Sequence, residues 1–287
     1  MSLDAVFRNL DQSLSQKTGI RSKRLYLYFI DQLDAKILDV YSKVGQMLAR
    51  YRSGKLPKAL KVLPKIKNWP EVLQITNPEG WTPNATYQVT RIFISALSPK
   101  LAEAFVRSVL LPKFRDDVMT NKKLNSHLYE ALKKTLYKPA AFFRGLVFPL
   151  CQESDVTLKE ATIMASVIER MSIPILHSAA ALLKLCSFEY SGPRSIFIKA
   201  LLDKKYALPQ RVVDAVAVYF NTTSNGSSEE VLPVLWQQSL LIFCQRYRDN
   251  FSEEQIKLLK DVAEKQHHDL ISREIVLELN SSRMMQP

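Results

Sequence analysis

The sequence predicts an all-α fold, built as a right-handed stack of helical pairs, and three observations carry that prediction. Apolar residues recur at three- and four-residue steps along most of the 287 residues, with little of the alternation a strand needs. Only seven glycines are present, too few for an all-β fold with many tight turns or for glycine-rich nucleotide-binding loops. Pro139, Pro174 and Pro209 each precede an apolar helical stretch and stand 35 residues apart. A period in the mid-thirties suits stacked helical pairs, and proline suits a first helical turn, where its missing N–H costs no bond. The three stretches, KPAAFFRGLV, IPILHSAAALL and LPQRVVDAVAV, resemble one another weakly, so the repeat is degenerate.

Residues 1–30 read as a poorly organised leader. Its run IRSKRLYLYF mixes Arg21, Lys23 and Arg24 with Tyr26, Tyr28 and Phe29, and two readings fit equally: an arm laid on a partner, or a short docked helix. From residue 31 to 287 a single helical-repeat domain is expected, with no strong internal boundary. Leu33, Ile37, Val40, Tyr41, Val44, Met47, Leu48 and Tyr51 define one apolar helical face, with Asp31 or Asp34 at its start and Gly54 ending it in a left-handed turn. Beside that face Lys36, Lys43 and Arg50 recur seven apart. Next come short segments broken by Pro57, Pro64, Pro70, Pro78 and Pro83, which predict turns and one-turn helices wedged by Trp69 and Trp81.

Helices are then expected over 84–96, 99–110 and 114–137, the last turning Phe114, Val118, Leu128, Leu132 and Leu136 inward and Lys123, His127, Glu130 and Lys134 to another face. The proline-headed repeats follow. Further helices are expected near Pro233, Ser252 and Ile271, and NTTSNGSS (221–228) reads as the clearest flexible loop.

The chain holds 40 Lys and Arg against 28 Asp and Glu, a formal charge of +12. Residues 1–70 carry a net +9, residues 71–227 a net +6 and residues 228–287 a net −3. Such polarity predicts a molecule that meets a polyanion with one part only. The focus is YRSGKLPKA (51–59) and its flanks: Arg50, Arg52, Lys55, Lys58, Lys61, Lys65 and Lys67 fall within eighteen residues that contain no acidic residue. An anionic membrane would attract the same charge, but no stretch reaches the roughly 18 uninterrupted apolar residues that spanning needs, and no lipidation signal is present. Cys151, Cys186 and Cys244 are sparse and odd in number, which predicts buried free thiols in a reducing compartment. MSLDAVFRNL has no apolar signal-peptide core, so the sequons at Asn84, Asn221, Asn225 and Asn280 carry no weight.

Catalytic and cofactor patterns are wanting. SGK (53–55) imitates the end of a phosphate-binding loop, but Ala49 replaces the required earlier glycine, Leu56 replaces the magnesium-binding hydroxyl, and no strand precedes. His267 and His268 diverge by about 100° on a helix and make a poor metal pair. His177, in an apolar stretch, reads as a hydrogen-bonded core histidine, and His127 as exposed or touching phosphate. Asp116 and Asp117 read as first-turn residues favouring the macrodipole, as do Glu229 and Glu230. Lys204 and Lys205 close a helix, with RNA contact as a second reading. No metal site, cofactor or catalytic residue is assigned. The residues read as RNA contacts are Lys43, Arg50, Arg52, Lys55, Lys58, Lys61, Lys65, Lys67, Lys122, Lys123, Lys134, Lys204 and Lys205.

Beyond these patterns, YRSGKLPKA, YQVTRIF (87–93), LLPKFRDDV (110–118), LNSHLYEALKKTLYKP (124–139), IPILHSAAALLK (173–184), EYSG (189–192), LLDKKYALPQRVVDA (201–215) and LPVLWQQSLLIFCQRY (232–247) together resemble the bystin, or essential nuclear protein 1, family. The resemblance implies a helical-repeat superhelix of the HEAT/armadillo-like kind. It also implies a non-enzymatic assembly factor of the small ribosomal subunit, without a cofactor. Such a factor acts near the head and beak of the immature particle, supports processing of the small-subunit rRNA precursor, and accompanies the particle from nucleolus and nucleus to cytoplasm. The implied partners are pre-rRNA, head ribosomal proteins and the low-temperature viability assembly factor; no membrane is implied, and the protein alone would be monomeric. The family's long charged N-terminal region has no match in residues 1–30, which fits either a compact lineage or a shortened form; the import signals and partner contacts that the resemblance ties to that region do not carry over to these residues. An armadillo-like adaptor for acidic proteins, with no direct RNA contact, is the alternative reading of the same residues.

Overall fold

The computed structural model describes residues 35–226 and 231–281, all helix and connecting turns with no strand among them. The leader, the proposed caps Asp31 and Asp34, and Glu229 and Glu230 lie outside the described residues. The chain divides after Ala85 into two compact units.

In the first unit α1 (Ala35–Ala49) buries Tyr41, Val44, Gly45 and Leu48. Ile37, Val40 and Met47, read as part of the same inward face, are exposed instead. The buried strip is narrow because α1 meets its neighbours through close backbone approach: a Cβ on Gly45 would lie 2.5 Å from the Thr76 carbonyl oxygen. That oxygen also accepts the Trp81 indole N–H at 3.0 Å, which fixes the second tryptophan of the segment. Trp69 and Trp81 are both buried, between α2 (Lys58–Val62), a 3-10 turn at Leu63–Lys65, α3 (Trp69–Ile75) and a 3-10 turn at Pro78–Gly80. This is the expected pattern of short pieces, with Pro64, Pro70 and Pro78 at the starts where a missing N–H is harmless.

α1 ends at Ala49, earlier than Gly54, although Gly54 does take the left-handed conformation at φ +104°. The end of α1 is closed by Thr82, whose N–H reaches the Leu48 carbonyl at 3.2 Å and whose hydroxyl reaches that of Tyr51 at 2.7 Å. The Tyr51 hydroxyl donates to the Gly54 carbonyl at 2.8 Å, so YRSG is a built turn.

The second unit begins at Thr86, within α4 (Pro83–Ala96). Two expected continuous helices are interrupted. The 99–110 helix is α5 (Pro99–Phe105) followed by a π-turn at Val106–Leu110, and a second π-turn at Phe143–Val147 separates α8 (Pro139–Phe142) from α9 (Phe148–Gln152). Each π-turn lies just before a proline, Pro112 or Pro149, at the start of the next helix. Proline lacks an N–H and crowds the carbonyl four residues back, and a widened turn relieves both.

The expected 114–137 helix is two helices, α6 (Leu111–Asn121) and α7 (Ser126–Thr135). Lys122 at φ 55° ends the first, and the Asn125 side chain caps the second by accepting the His127 N–H at 2.9 Å. Asp116 and Asp117 are therefore not in a first turn. Asp117 lies in the second half of α6 and ties the break together, accepting the Asn125 N–H at 2.7 Å and the Asn121 amide at 2.8 Å. Phe114, Val118, Leu128, Leu132 and Leu136 are buried as expected.

From residue 158 onward alternate helices pack on one another. α10 (Leu158–Arg170), α12 (Gly192–Leu202), α14 (Val234–Tyr247) and α16 (Ile271–Asn280) form one row. α11 (Ile175–Cys186), α13 (Gln210–Gly226) and α15 (Glu253–Lys265) form the other. Pro174 and Pro209 head successive members of the second row, which is why their spacing was readable as a repeat. α15 instead starts at Ser252 with a reciprocal capping box to Gln255, and the proline period stops there.

Residues 221–226, read as loop, continue α13. Their polar side chains bond within the helix, Thr223 to the Tyr219 carbonyl at 2.7 Å and Asn225 to Asn221 at 3.1 Å, and Lys265 of α15 holds Asn225 at 3.0 Å. Cys151 and Cys244 are buried and Cys186 half-buried, all free, and burial pushes the Cys151 and Cys186 thiols up to about 12. Among the described residues no helix is long and apolar enough to cross a membrane.

Candidate nucleic-acid interface

The cationic segment of the first unit is built by the turn just described. Arg50 and Arg52 flank Tyr51 at the end of α1, and Lys55 follows the left-handed Gly54. Lys58 and Lys61 sit three apart on α2 while Leu60 between them is buried, so burial of Leu60 turns both ammonium groups outward. Lys65 closes the 3-10 turn after the buried Leu63 and Pro64, and Lys67 precedes α3. All seven side chains are exposed, and none forms an ion pair among the described residues. The backbone beneath them is held at both ends: the Asn84 amide donates to the Arg52 carbonyl, and the Tyr41 hydroxyl to the Ala59 carbonyl at 3.3 Å. Charge here is exposed at the tips and anchored at the main chain, an arrangement that can follow a phosphate backbone without reading bases.

Lys43, read as part of the same set, differs. It is exposed but pairs with Asp39 at 2.7 Å across one helical turn. In the second unit Lys122 and Lys123 are exposed at the α6–α7 break and form no ion pair among the described residues. Lys134 is half-buried with its ammonium 3.6 Å from the centre of the Tyr137 ring. Lys204 is directed away from its own helix end: its ammonium donates to the Glu169 and Met171 carbonyls at 2.9 and 2.8 Å and so closes α10. Lys205, at φ 57°, supplies the left-handed residue after α12 and stays exposed.

His127 is exposed, as the sequence suggests, and stacks on Tyr87 at 6.5 Å, with the Arg91 guanidinium 5.7 Å from the same tyrosine ring. His177 is half-exposed and lines a cleft with Arg144 and Lys184, so it is not a core histidine; Ile175 and Leu176 before it are exposed as well. His268 caps α16, its Nδ1 accepting the Leu270 and Ile271 N–H groups. Arg115 gathers three carboxylates, Glu160 at 3.0 Å, Asp155 at 3.0 Å and Glu153, and Glu160 is 1% exposed. That cluster braces α6 against the α9–α10 junction. Among the described residues no group of three or more His, Cys, Asp or Glu is placed to hold a metal ion.

Fold and surface thus define an all-helical protein with an exposed, anchored cationic segment. The family model for bystin matches residues 3–286 of this chain. Bystin of Monosiga brevicollis is 50% identical over 252 residues, covering 88% of this chain and 60% of that protein. Bystin of Homo sapiens is 50% identical over 251 residues, covering 88% and 57%, and that of Drosophila melanogaster is 50% identical over 253 residues, covering 88% and 58%. The chain belongs to the bystin family. It spans less than two thirds of the length of these relatives.

Proposed function

We propose that this chain is a non-enzymatic assembly factor that binds the immature small ribosomal subunit in its head and beak region and supports precursor rRNA processing, assembly and export. The observation that carries the RNA contact is the set of seven exposed cations, Arg50 to Lys67, on a backbone pinned by Thr82, Asn84 and Tyr41. Their contact with folded rRNA releases counterions, and the structured RNA is read by shape and backbone. Bound there, the protein keeps local rRNA immature and bars late-binding partners. Head ribosomal proteins and the low-temperature viability factor are the proposed protein neighbours, and the nucleolus, nucleus and then cytoplasm the proposed sites of action. The alternating rows of the second unit favour a right-handed superhelix of the HEAT/armadillo kind as its architecture.

Charge reversal at Arg50, Arg52, Lys55 and Lys58 tests the RNA reading. Crosslinking to precursor rRNA should fall, and the slope of log affinity against log salt should flatten by roughly three, as lost phosphate contacts require. Unchanged crosslinking with an intact circular dichroism spectrum would remove RNA from this segment and leave the adaptor reading.

A further inference from the structure

A second basic surface, in the second unit, has a different character. The segment running from α8 through its π-turn to α9 faces α11 across a cleft of about 430 Å³, inside the range of about 300–1,000 Å³ typical of binding pockets. Its apolar lining is Ala140, Ala180, Ala181 and the rings of Phe143 and Phe148. The remaining lining groups are Arg144, His177 and Lys184, and among the described residues no carboxylate lines the cleft. Arg144 and Lys184 are exposed and form no ion pair among the described residues. The Lys184 ammonium lies 4.8 Å from the centre of the Phe188 ring, beside the cleft. Leu176, one turn before Ala180 on α11, is 77% exposed and extends the apolar surface. Arg144 and Phe143 belong to the π-turn that Pro149 enforces, so a local helix distortion presents them.

We propose that this cleft binds an acidic peptide segment of a partner protein, which inserts an aliphatic side chain against the alanines and phenylalanines and rests its carboxylates on Arg144 and Lys184. Charge complementarity selects an acidic partner, because the cleft is cationic and no described residue brings a negative group to it. The aromatic geometry selects a peptide over a nucleobase. Phe143 is 3% exposed and stacks on Phe148 at 6.2 Å, and Phe148 meets Phe188 edge-on at 6.3 Å. Phe143 is thus almost wholly covered and Phe148 is flanked by two rings, which leaves little open ring face for a base and favours an aliphatic anchor. All residues lining this cleft belong to the second unit.

The test is selection of a random twelve-residue phage-displayed library on the full chain, followed by fluorescence anisotropy with a synthetic peptide of the enriched sequence. Enriched sequences should be net acidic with a Leu, Ile, Val or Met anchor. The Arg144→Glu/Lys184→Glu double variant and the separate Ala180→Glu variant should each weaken binding about tenfold or more. Because all three positions are exposed, circular dichroism should be unchanged, and either variant suffices if the other misfolds. Enrichment without acidic bias, binding that survives both variants, no enrichment at all, or displacement of the peptide by a polyuridine oligonucleotide would each overturn the proposal.

Discussion

The two units use the same residue types for opposite purposes. In the first, Arg50, Arg52, Lys55, Lys58, Lys61, Lys65 and Lys67 end in solvent without an ion pair among the described residues. In the second, many of the cations close helices or brace them. Lys138 donates to the Leu97 carbonyl, Arg194 to that of Cys151, Lys204 to those of Glu169 and Met171, and Arg115 holds three carboxylates. Composition alone would assign all of them to one polyanion. The contrast teaches that a cation reports on an outside partner only after the helix ends within its reach have been satisfied.

The largest expected effect is on the bracing side. Arg115→Ala leaves the buried Glu160 carboxylate without its cation, held only by the Thr157 N–H and hydroxyl, and chemical denaturation should show a loss of about 3 kcal/mol while RNA affinity of the folded protein is unchanged. A parallel loss of RNA affinity in protein verified as folded would break the division of labour. Next in size is the quadruple reversal of the first unit. RNA affinity measured by filter binding should fall about a hundredfold with stability nearly unaltered, because exposed unpaired charges contribute little to folding.

Gly45→Ala sharpens the comparison from another direction. It forces the added methyl against the Thr76 backbone, and the expected cost is about 1–3 kcal/mol with reduced RNA binding, although no charge has changed. Thermal unfolding and filter binding on one preparation would check both. The smallest pair contrasts two single lysines. Lys204→Met should lower stability by about 1 kcal/mol and leave RNA affinity alone. Lys61→Met should lower RNA affinity a few-fold with stability within about 0.5 kcal/mol. Exchange of those two outcomes would reverse the assignment of spare and structural cations.

Much of the helical layout was legible because its signals are local. Pro174, Pro209 and Pro233 start helices where the sequence suggests, and Ser252 supplies an N-cap to the Gln255 N–H three residues away. The sequence misleads where a local signal has a competitor. Lys122 to Asn125 carries no glycine or proline, so the α6–α7 break was invisible; Asp117 and Asn125 close it by bonds that propensity does not count. NTTSNG reads as a loop because such side chains often bond to their own backbone; in α13 Thr223 makes such a bond within the helix, and Asn225 donates to the Asn221 side chain.

The cationic segment was readable in full, since its definition is seven charges with no acid among them. The cleft was half readable: His177, Ala181 and Lys184 recur at helical spacing, but Arg144 and Phe148 come from another part of the chain.

By itself the sequence determined the helical class, most helix starts, the family and the place where positive charge accumulates. Class, starts and charge depend on neighbours within about four residues or on composition, and the family on the order of whole blocks along the chain. Tertiary structure decided which positive charges are free. Lys204 meets its carbonyl partners 33 and 35 residues away, Arg194 meets Cys151 43 away, and Arg115 meets Glu160 45 away. Contacts at that separation exist only once helices have packed, and a desolvated carbonyl or carboxylate beside a lysine or arginine then takes the charge that the sequence alone would have offered to a partner.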